Sequence, residues 1–182
     1  MFIDSLVNRS TYILCYAIIV QGLVLDSIPR VVLEIARREA EKLGMSIDEY
    51  LVELVSQSLD PKNRVREYIE AAKELLEQSV EELKKDDIRQ AAEKLWGAAA
   101  LAIKAYAMAK EGKRLSSHGE LWEYKRKLMR ELGRWVYDSW SAANEMHTCF
   151  YEDWCTSEDV KEALQRVTRL VKEVARKLGL HA

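Results

Sequence analysis

The sequence predicts an all-α protein, an up-and-down antiparallel helical bundle that follows a small N-terminal strand-helix-helix extension. Apolar residues recur at spacings of three and four through most of the chain after Asp60, as is typical of amphipathic helices. Capping residues mark several helix starts. Residues 91–107 form an alanine-rich stretch without proline. Because its small residues let neighbouring helices approach closely, we expect this stretch to be the central helix.

Composition restricts the classes of function. The 182 residues carry a formal net charge of -2 from many interleaved charges of both signs, which argues against a strongly basic nucleic-acid surface but leaves room for a local patch. Cys15, Cys149 and Cys155 are odd in number and lack paired spacing, so we predict buried free thiols in a reducing cytoplasm. A metal site built from His147 and the last two cysteines is not expected, and no cofactor is predicted.

An apolar run at residues 12–25 precedes the predicted helices. Its 14 residues, interrupted by Gln21 and Gly22, fall short of the roughly 20 needed to span a bilayer. We therefore predict no membrane partner and interpret the run as a strand or a packed N-terminal arm.

Residues 1–59 are predicted to form a separate N-terminal module. A short strand at residues 23–25 leads to a helix that begins near Pro29 and ends at Gly44, and a capping box of Ser46 and Glu49 starts a second helix. This order resembles the ribbon-helix-helix pattern, whose strands read DNA through polar residues. Since the matching strand here is apolar, the module is expected to dimerise or to pack rather than to contact bases.

Residues 60–182 are predicted to form the bundle. Asp60 and Pro61 start a helix that runs to about Lys84, and a short turn leads to the helix of the alanine-rich stretch, which runs to about Lys110. The short connection predicts an antiparallel hairpin.

Three further helices complete the predicted bundle. Ser117 and Glu120 form a capping box for a helix from His118 to about Leu132, and Gly133 marks a break. The next helix extends to Trp154, and Thr156 or Ser157 starts the last one. Spacings of three and four place a stripe of residues on one face of the helix that ends at Trp154: Trp140, Ala143, Asn144, His147, Tyr151 and Trp154. The sequence contains no phosphate loop and no dinucleotide fingerprint.

The candidate binding residues lie in two groups and one isolated position. His147 shares its face with Asn144 and Tyr151, where it is either a proton donor or phosphate contact, or a histidine that ties helices together. The second group comprises His118, in the first turn of its helix, and Lys113 and Arg114 just before it; the group suggests a small phosphate site, with capping as the plainer alternative.

Lys104 is the isolated position. Because it lies on the helix expected to be central, its charge must reach solvent, pair with a carboxylate or line a cleft. If Lys104 faces the two histidines, the central helix lines a binding site. If it reaches outward, the helix serves only to support the fold.

Three blocks of sequence resemble the archaeal PaREP family, whose helical domain is grouped with the HEPN superfamily. The blocks are AAEKLWGAAALAIKA (residues 91–105), LSSHGELWE (115–123), and MHTCFYEDW (146–154) followed by VKEALQRVTRLV. In this order and separation they cover most of residues 61–178. The resemblance implies an up-and-down helical bundle and a homodimer.

The resemblance also bears on catalysis. HEPN nucleases carry an arginine followed by a histidine with four to six residues between them. No arginine occupies those positions before His147, and Arg114 precedes His118 by only three intervening residues. No catalytic residue is therefore assigned, and enzymatic activity is not expected.

These observations lead to one functional hypothesis and two alternatives. We expect a HEPN-like protein that acts through self-association and binding of a nucleic acid, nucleotide or protein partner. The first alternative is a metal-independent ribonuclease or toxin-type enzyme with a nonstandard histidine site. The second is a purely structural dimer.

Overall fold

The structure, a computed structural model, describes residues 28–180, and within them it contains seven α-helices and no strand. The helices are α1 (Arg30–Leu43), α2 (Ile47–Val55), α3 (Pro61–Lys84), α4 (Ile88–Glu111), α5 (His118–Leu132), α6 (Trp135–Glu152) and α7 (Ser157–Lys177). A short 3-10 turn, Ser56–Ser58, follows α2. The all-α class is confirmed for this part of the chain, whereas the predicted strand at residues 23–25 lies outside the described residues.

The chain divides into two compact units, residues 1–37 and residues 38–182. The described part of the first unit is the beginning of α1, where Val31, Val32 and Ile35 are each about half exposed. The second unit contains a helical bundle with its own apolar core. The proposed domain boundary after residue 59 stays a prediction.

Helix α4 is the central element of the bundle, as its alanine content predicts. Helices α2, α3, α5, α6 and α7 all pack against it, and every residue from Ala91 to Met108 except Lys94 is buried. Small residues permit this close packing. A Cβ atom at Gly97 would lie 3.0 Å from the Leu75 side chain and 3.1 Å from the Ser46 hydroxyl.

The predicted helix starts are confirmed by their caps. An Asp60 carboxylate oxygen accepts hydrogen bonds from the backbone amides of Lys62 and Asn63 at 3.0 and 3.1 Å. The Ser46 and Ser117 hydroxyls likewise accept from amides in the first turns of α2 and α5. These bonds satisfy amides that would otherwise lack partners at the helix ends.

Both predicted capping boxes are wrong in their second half. The Glu49 carboxylate pairs with the buried Lys104 on α4, and neither of its oxygens forms a hydrogen bond of full geometry with the Ser46 amide. The Glu120 carboxylate accepts from the backbone amide of Ser116, at 2.7 Å, instead of from the Ser117 amide.

The end of α6 corrects two further predictions. The helix ends at Glu152 rather than at Trp154, because Asp153 adopts a left-handed conformation with φ of 54°. The resulting turn brings Cys155 back toward Cys149, and the two form a disulfide with Cα atoms 5.7 Å apart. The prediction that these two cysteines are free thiols is therefore wrong.

The outward faces of the bundle carry charged side chains of both signs. Neighbouring turns form ion pairs such as Lys84 with Glu81 on α3 and Arg176 with Glu173 on α7. Within residues 28–180, no helix is both long and apolar enough to cross a membrane.

Candidate functional site

Three helices bring two histidines together on one tryptophan. His118 is the first residue of α5, His147 lies in the second half of α6, and their ring centroids are 5.6 Å apart. Both rings pack on Trp96 of α4, His118 at 4.9 Å and His147 at 4.5 Å between centroids. Trp96 is fully buried, while both imidazoles are partly exposed. A tryptophan that packing fixes therefore supports two imidazoles that reach the surface.

Aromatic side chains extend this cluster along the contact between α5 and α6. The Trp122 ring lies nearly parallel to His118, at 10° and 6.4 Å, and Trp140 contacts both tryptophans. At the other end, the half-exposed Tyr151 ring meets His147 edge-on at 5.2 Å. Of the predicted stripe on α6, Trp140, His147 and Tyr151 thus lie in this cluster, whereas Trp154 lies beyond the helix end.

His118 packs closely against the turn that follows α1. A Cβ atom at Gly44 would lie 3.5 Å from the Cβ of His118, and Gly44 has a φ of 66°, which glycine adopts without strain. A larger residue at position 44 would therefore disturb the backbone beside the imidazole.

His147 is electrostatically unusual. Burial, together with the nearby His118, lowers the pKa of His147 to about 4. Its buried Nδ1 atom has no hydrogen-bond partner in the described part of the protein. The imidazole is consequently neutral near pH 7, and the hydrogen-bonding capacity of Nδ1 is unused among the described residues.

Glu93 lies one helical turn before Trp96 on α4 and is a buried carboxyl group. It is 5% exposed, and its Oε2 atom has no partner among the described residues. Burial, followed by the charge of Asp48, raises the pKa of Glu93 to about 8. Burial also raises the pKa of Tyr151, and the negative charge of Glu93 raises it further, so these two side chains interact electrostatically.

Lys104 is buried and does not join the histidines. Its Nζ atom lies 2.9 Å from Glu49 Oε1 and 3.5 Å from Glu53 Oε2, both on α2. The 2.9 Å approach is an ion pair without good hydrogen-bond direction, since both Glu49 oxygens lack a hydrogen-bond partner. The sequence left three roles open for the Lys104 charge: contact with solvent, pairing with a carboxylate, or lining a cleft. In the described part of the chain it pairs with carboxylates.

Glu53 connects this ion pair to Arg114 and Tyr68. Arg114 Nε donates to Glu53 Oε1 at 3.0 Å, and the Tyr68 hydroxyl donates to Glu53 Oε2 at 2.6 Å. Burial acts to raise the pKa of Glu53, but Lys104 and these two hydrogen bonds outweigh it, so the pKa lies below its ordinary value. This network fastens α2 to the bundle.

The remaining candidate residues have local partners. Lys113 lies 3.7 Å from a carboxylate oxygen of Glu120, and Arg114 is held by Glu53. Both cations of the predicted phosphate site beside His118 are thus neutralised by carboxylates. Asn144 is half-buried on α6, and its backbone carbonyl accepts a hydrogen bond from Thr148.

The sequence prediction did not place Trp96 in contact with the two histidines. Periodicity alone assigns Trp96 to the core, where it indeed lies, and does not indicate that its ring supports two histidines.

Two concave regions of the described residues lie away from the histidines. One of about 170 Å³ includes Asp48, Glu74 and Leu75 in its lining, and one of about 240 Å³ includes Trp154 and Glu162. Among residues 28–180, no group of three histidine, cysteine or acidic side chains is arranged to hold a metal ion.

Comparison with known proteins places the chain in a family. Residues 67–171, more than half of the chain, match the model of the archaeal PaREP1/PaREP8 family. The match includes Glu93, Trp96, His118, His147 and Tyr151. No curated protein and no solved structure matches the chain. The protein therefore belongs to the archaeal PaREP1/PaREP8 family.

Proposed function

We propose that this protein is a non-catalytic binding protein that holds the base of a nucleotide or nucleic acid against the His118 and His147 rings. The observation that carries the proposal is the pair of partly exposed imidazoles, 5.6 Å apart, on one buried tryptophan. Flat rings of this kind offer stacking surfaces to a planar ligand. Packing holds Trp96 in place, so little conformational entropy is lost when a base binds.

A polar atom of one of these rings supports a ligand that forms hydrogen bonds. The Nδ1 atom of the partly exposed His147 has no hydrogen-bond partner among the described residues. Buried polar atoms are normally satisfied by protein, water or a ligand. A heterocyclic base supplies donors and acceptors that an apolar ligand lacks.

Catalysis by a ribonuclease mechanism is the less favoured alternative. A general acid works best with a pKa near the operating pH, whereas the pKa of His147 is about 4. The arginine spacing of the nuclease relatives is absent, and Arg114 is engaged by Glu53. These observations favour binding over cleavage.

The proposal extends to the superfamily, assembly and location. A HEPN-like bundle is supported by the three resembling blocks and by the consecutive long helices around α4. Self-association as a homodimer is supported by apolar side chains exposed on α1. We place the protein in the cytoplasm, and a protein partner in place of a nucleic acid remains an alternative occupant.

A matched pair of tyrosines on α6 provides the test. Tyr151 contacts His147 and is 50% exposed, whereas Tyr137, near the opposite end of the helix, is 47% exposed. If a base binds beside His147, Tyr151→Ala should weaken the binding of adenosine monophosphate or of a labelled RNA oligonucleotide about tenfold, because a stacked ring contributes about 1–3 kcal/mol. Tyr137→Ala should leave it unchanged. Calorimetry and fluorescence anisotropy measure the two affinities.

The other outcomes separate the alternatives. RNA degradation that disappears in both His118→Ala and His147→Ala, with folding intact, would favour the ribonuclease. A dimer that binds none of these ligands would favour the purely structural role. Equal weakening by the two tyrosine variants would place the ligand elsewhere.

A further inference from the structure

A groove between α6 and α7 lies outside the histidine site. It has a volume of about 240 Å³ and is lined by residues of both helices and by Trp154, which follows α6. Part of its lining is apolar, because Met146 on α6 and Ala163 on α7 line it and are almost fully buried. The groove shares no lining residue with the histidine cluster, so what it binds is independent of the function proposed above.

Trp154 is the largest side chain that lines the groove, and it is 49% exposed. Its backbone is held on both sides, since Asp153 adopts a left-handed conformation and Cys155 forms the disulfide with Cys149. Holding the backbone in this way reduces the conformational entropy that is lost when a ligand covers the ring. Ligand pockets typically combine aromatic side chains with a few polar groups. Trp154 supplies the aromatic part of such a lining.

Charged side chains on both helices make the groove negative. Its lining includes three carboxylates and one guanidinium, a net charge of -2 when all are ionised: Glu145, Asp159, Glu162 and Arg166. The Arg166 charge is already engaged, because its guanidinium lies 3.5 Å from a Glu162 oxygen. Hydrogen bonds from Thr156 hold the pKa of Asp159 below its ordinary value, so this carboxylate is ionised at neutral pH. The groove therefore favours a cationic ligand.

We propose that this groove binds an aliphatic polyamine, a flexible chain of ammonium groups joined by methylenes. Its ammonium groups pair with carboxylates on the two helices, Glu145 on α6 and Glu162 on α7, and its methylenes cover Met146 and the Trp154 indole. A hydrated inorganic cation would neutralise the carboxylates but leave the apolar lining in water. A neutral apolar ligand would cover that lining but desolvate the carboxylates without a partner. An extended organic cation matches both parts of the groove.

Isothermal titration calorimetry of the whole protein with spermidine tests the proposal. Salt at about 0.15 M screens the attraction of carboxylates more than about 8 Å away, so that close contacts dominate. We expect saturable binding of a single spermidine per chain. Mg²⁺ in about tenfold molar excess over spermidine, at the same ionic strength, should change the dissociation constant less than about twofold, because it keeps its own waters and gains nothing from the indole.

Two pairs of variants separate the groove from the rest of the surface. Trp154→Ala should weaken spermidine binding about tenfold, because the cation–π and methylene contacts are lost. Tyr137→Ala is its control, since Tyr137 is similarly exposed, at 47%, but does not line the groove. Glu145→Gln should weaken binding about fivefold through the lost charge. Its control is Glu158→Gln, because Glu158 is exposed on α7 outside the groove. Circular dichroism verifies the fold of each variant.

Several results would overturn the proposal. Absence of saturable spermidine binding would do so, and so would equal weakening by Glu145→Gln and Glu158→Gln, which would indicate general attraction to surface charge. Displacement of spermidine by Mg²⁺ would assign the groove to a metal ion instead. A trilysine peptide that binds where spermidine does not would assign it to a basic segment of a protein partner. If Trp154→Ala does not fold, the comparison of Glu145→Gln with Glu158→Gln still decides.

Discussion

Lys104 illustrates how a single buried charge is accommodated. The side chain is 1% exposed, and it lies near Glu49 and Glu53 in a part of the bundle without solvent access. Burying such ions costs several kcal/mol each, and their mutual attraction largely offsets this cost. Removal of Lys104 would leave the buried Glu49 carboxylate without its counter-charge.

This arrangement predicts that Lys104→Met strongly destabilises the protein. The buried Glu49 carboxylate would lose its nearest cation and Glu53 would keep only Arg114 as a cation, so we expect the free energy of unfolding to fall by about 3–5 kcal/mol. Urea denaturation measures the change. The control is Lys161→Met, because Lys161 is exposed on α7, and we expect a change within about 0.5 kcal/mol. A loss no larger than that of the control would mean that the ion pair contributes nothing.

The sequence alone showed that the Lys104 charge needs compensation, but it did not show which residues provide it. A lysine in an apolar helix needs solvent, a cleft or a carboxylate, and this follows from charge alone. That Glu49 and Glu53 fulfil the requirement depends on the docking of α2, which brings together residues far apart in the chain. The shared face of His147 and Tyr151 was predictable because both residues lie on one helix. Their approach to His118 and Trp96 was not, because it also depends on how separate helices pack.

Helix boundaries were the most predictable feature at the scale of elements. Asp60 with Pro61 marks the start of α3, and Gly133 marks the end of α5, because both signals act within a few residues. The pairing of Cys149 with Cys155 was missed because it depends on the left-handed turn at Asp153. Spacing along the sequence does not reveal that turn.

The disulfide closes the turn between α6 and α7. We predict that Cys155→Ser lowers the free energy of unfolding by about 2 kcal/mol, the value expected from chain entropy for such a short loop. Thermal unfolding with and without dithiothreitol measures the effect. The reductant should destabilise the original protein and leave the variant unchanged. If alkylation and mass spectrometry detect two free thiols in the untreated protein, the prediction is contradicted.

Self-association belongs to the scale of the whole molecule. Val31, Val32 and Ile35 on α1 are 58, 48 and 47% exposed, and clustered apolar side chains of this kind often mark an interface. A dimer would remove them from water.

We predict that Ile35→Glu weakens the dimer, because it would place a charge in the apolar contact. Sedimentation velocity should show a dissociation constant raised at least about tenfold. Leu54→Glu is the matched control, since Leu54 is 48% exposed on α2. A dimer that is insensitive to Ile35→Glu would exclude this face of α1, and a monomeric original protein would contradict self-association itself.

Gly97 shows how the space between helices is determined on the bundle scale. Its Cα faces the Ser46 hydroxyl, which caps α2, and the Leu75 side chain on α3. A methyl group here would meet both within about van der Waals contact distance and push one of them outward. The absence of a side chain at Gly97 therefore determines how closely the start of α2 approaches α4. Because α2 carries Glu49 and Glu53, the same distance determines whether the buried charge of Lys104 is neutralised.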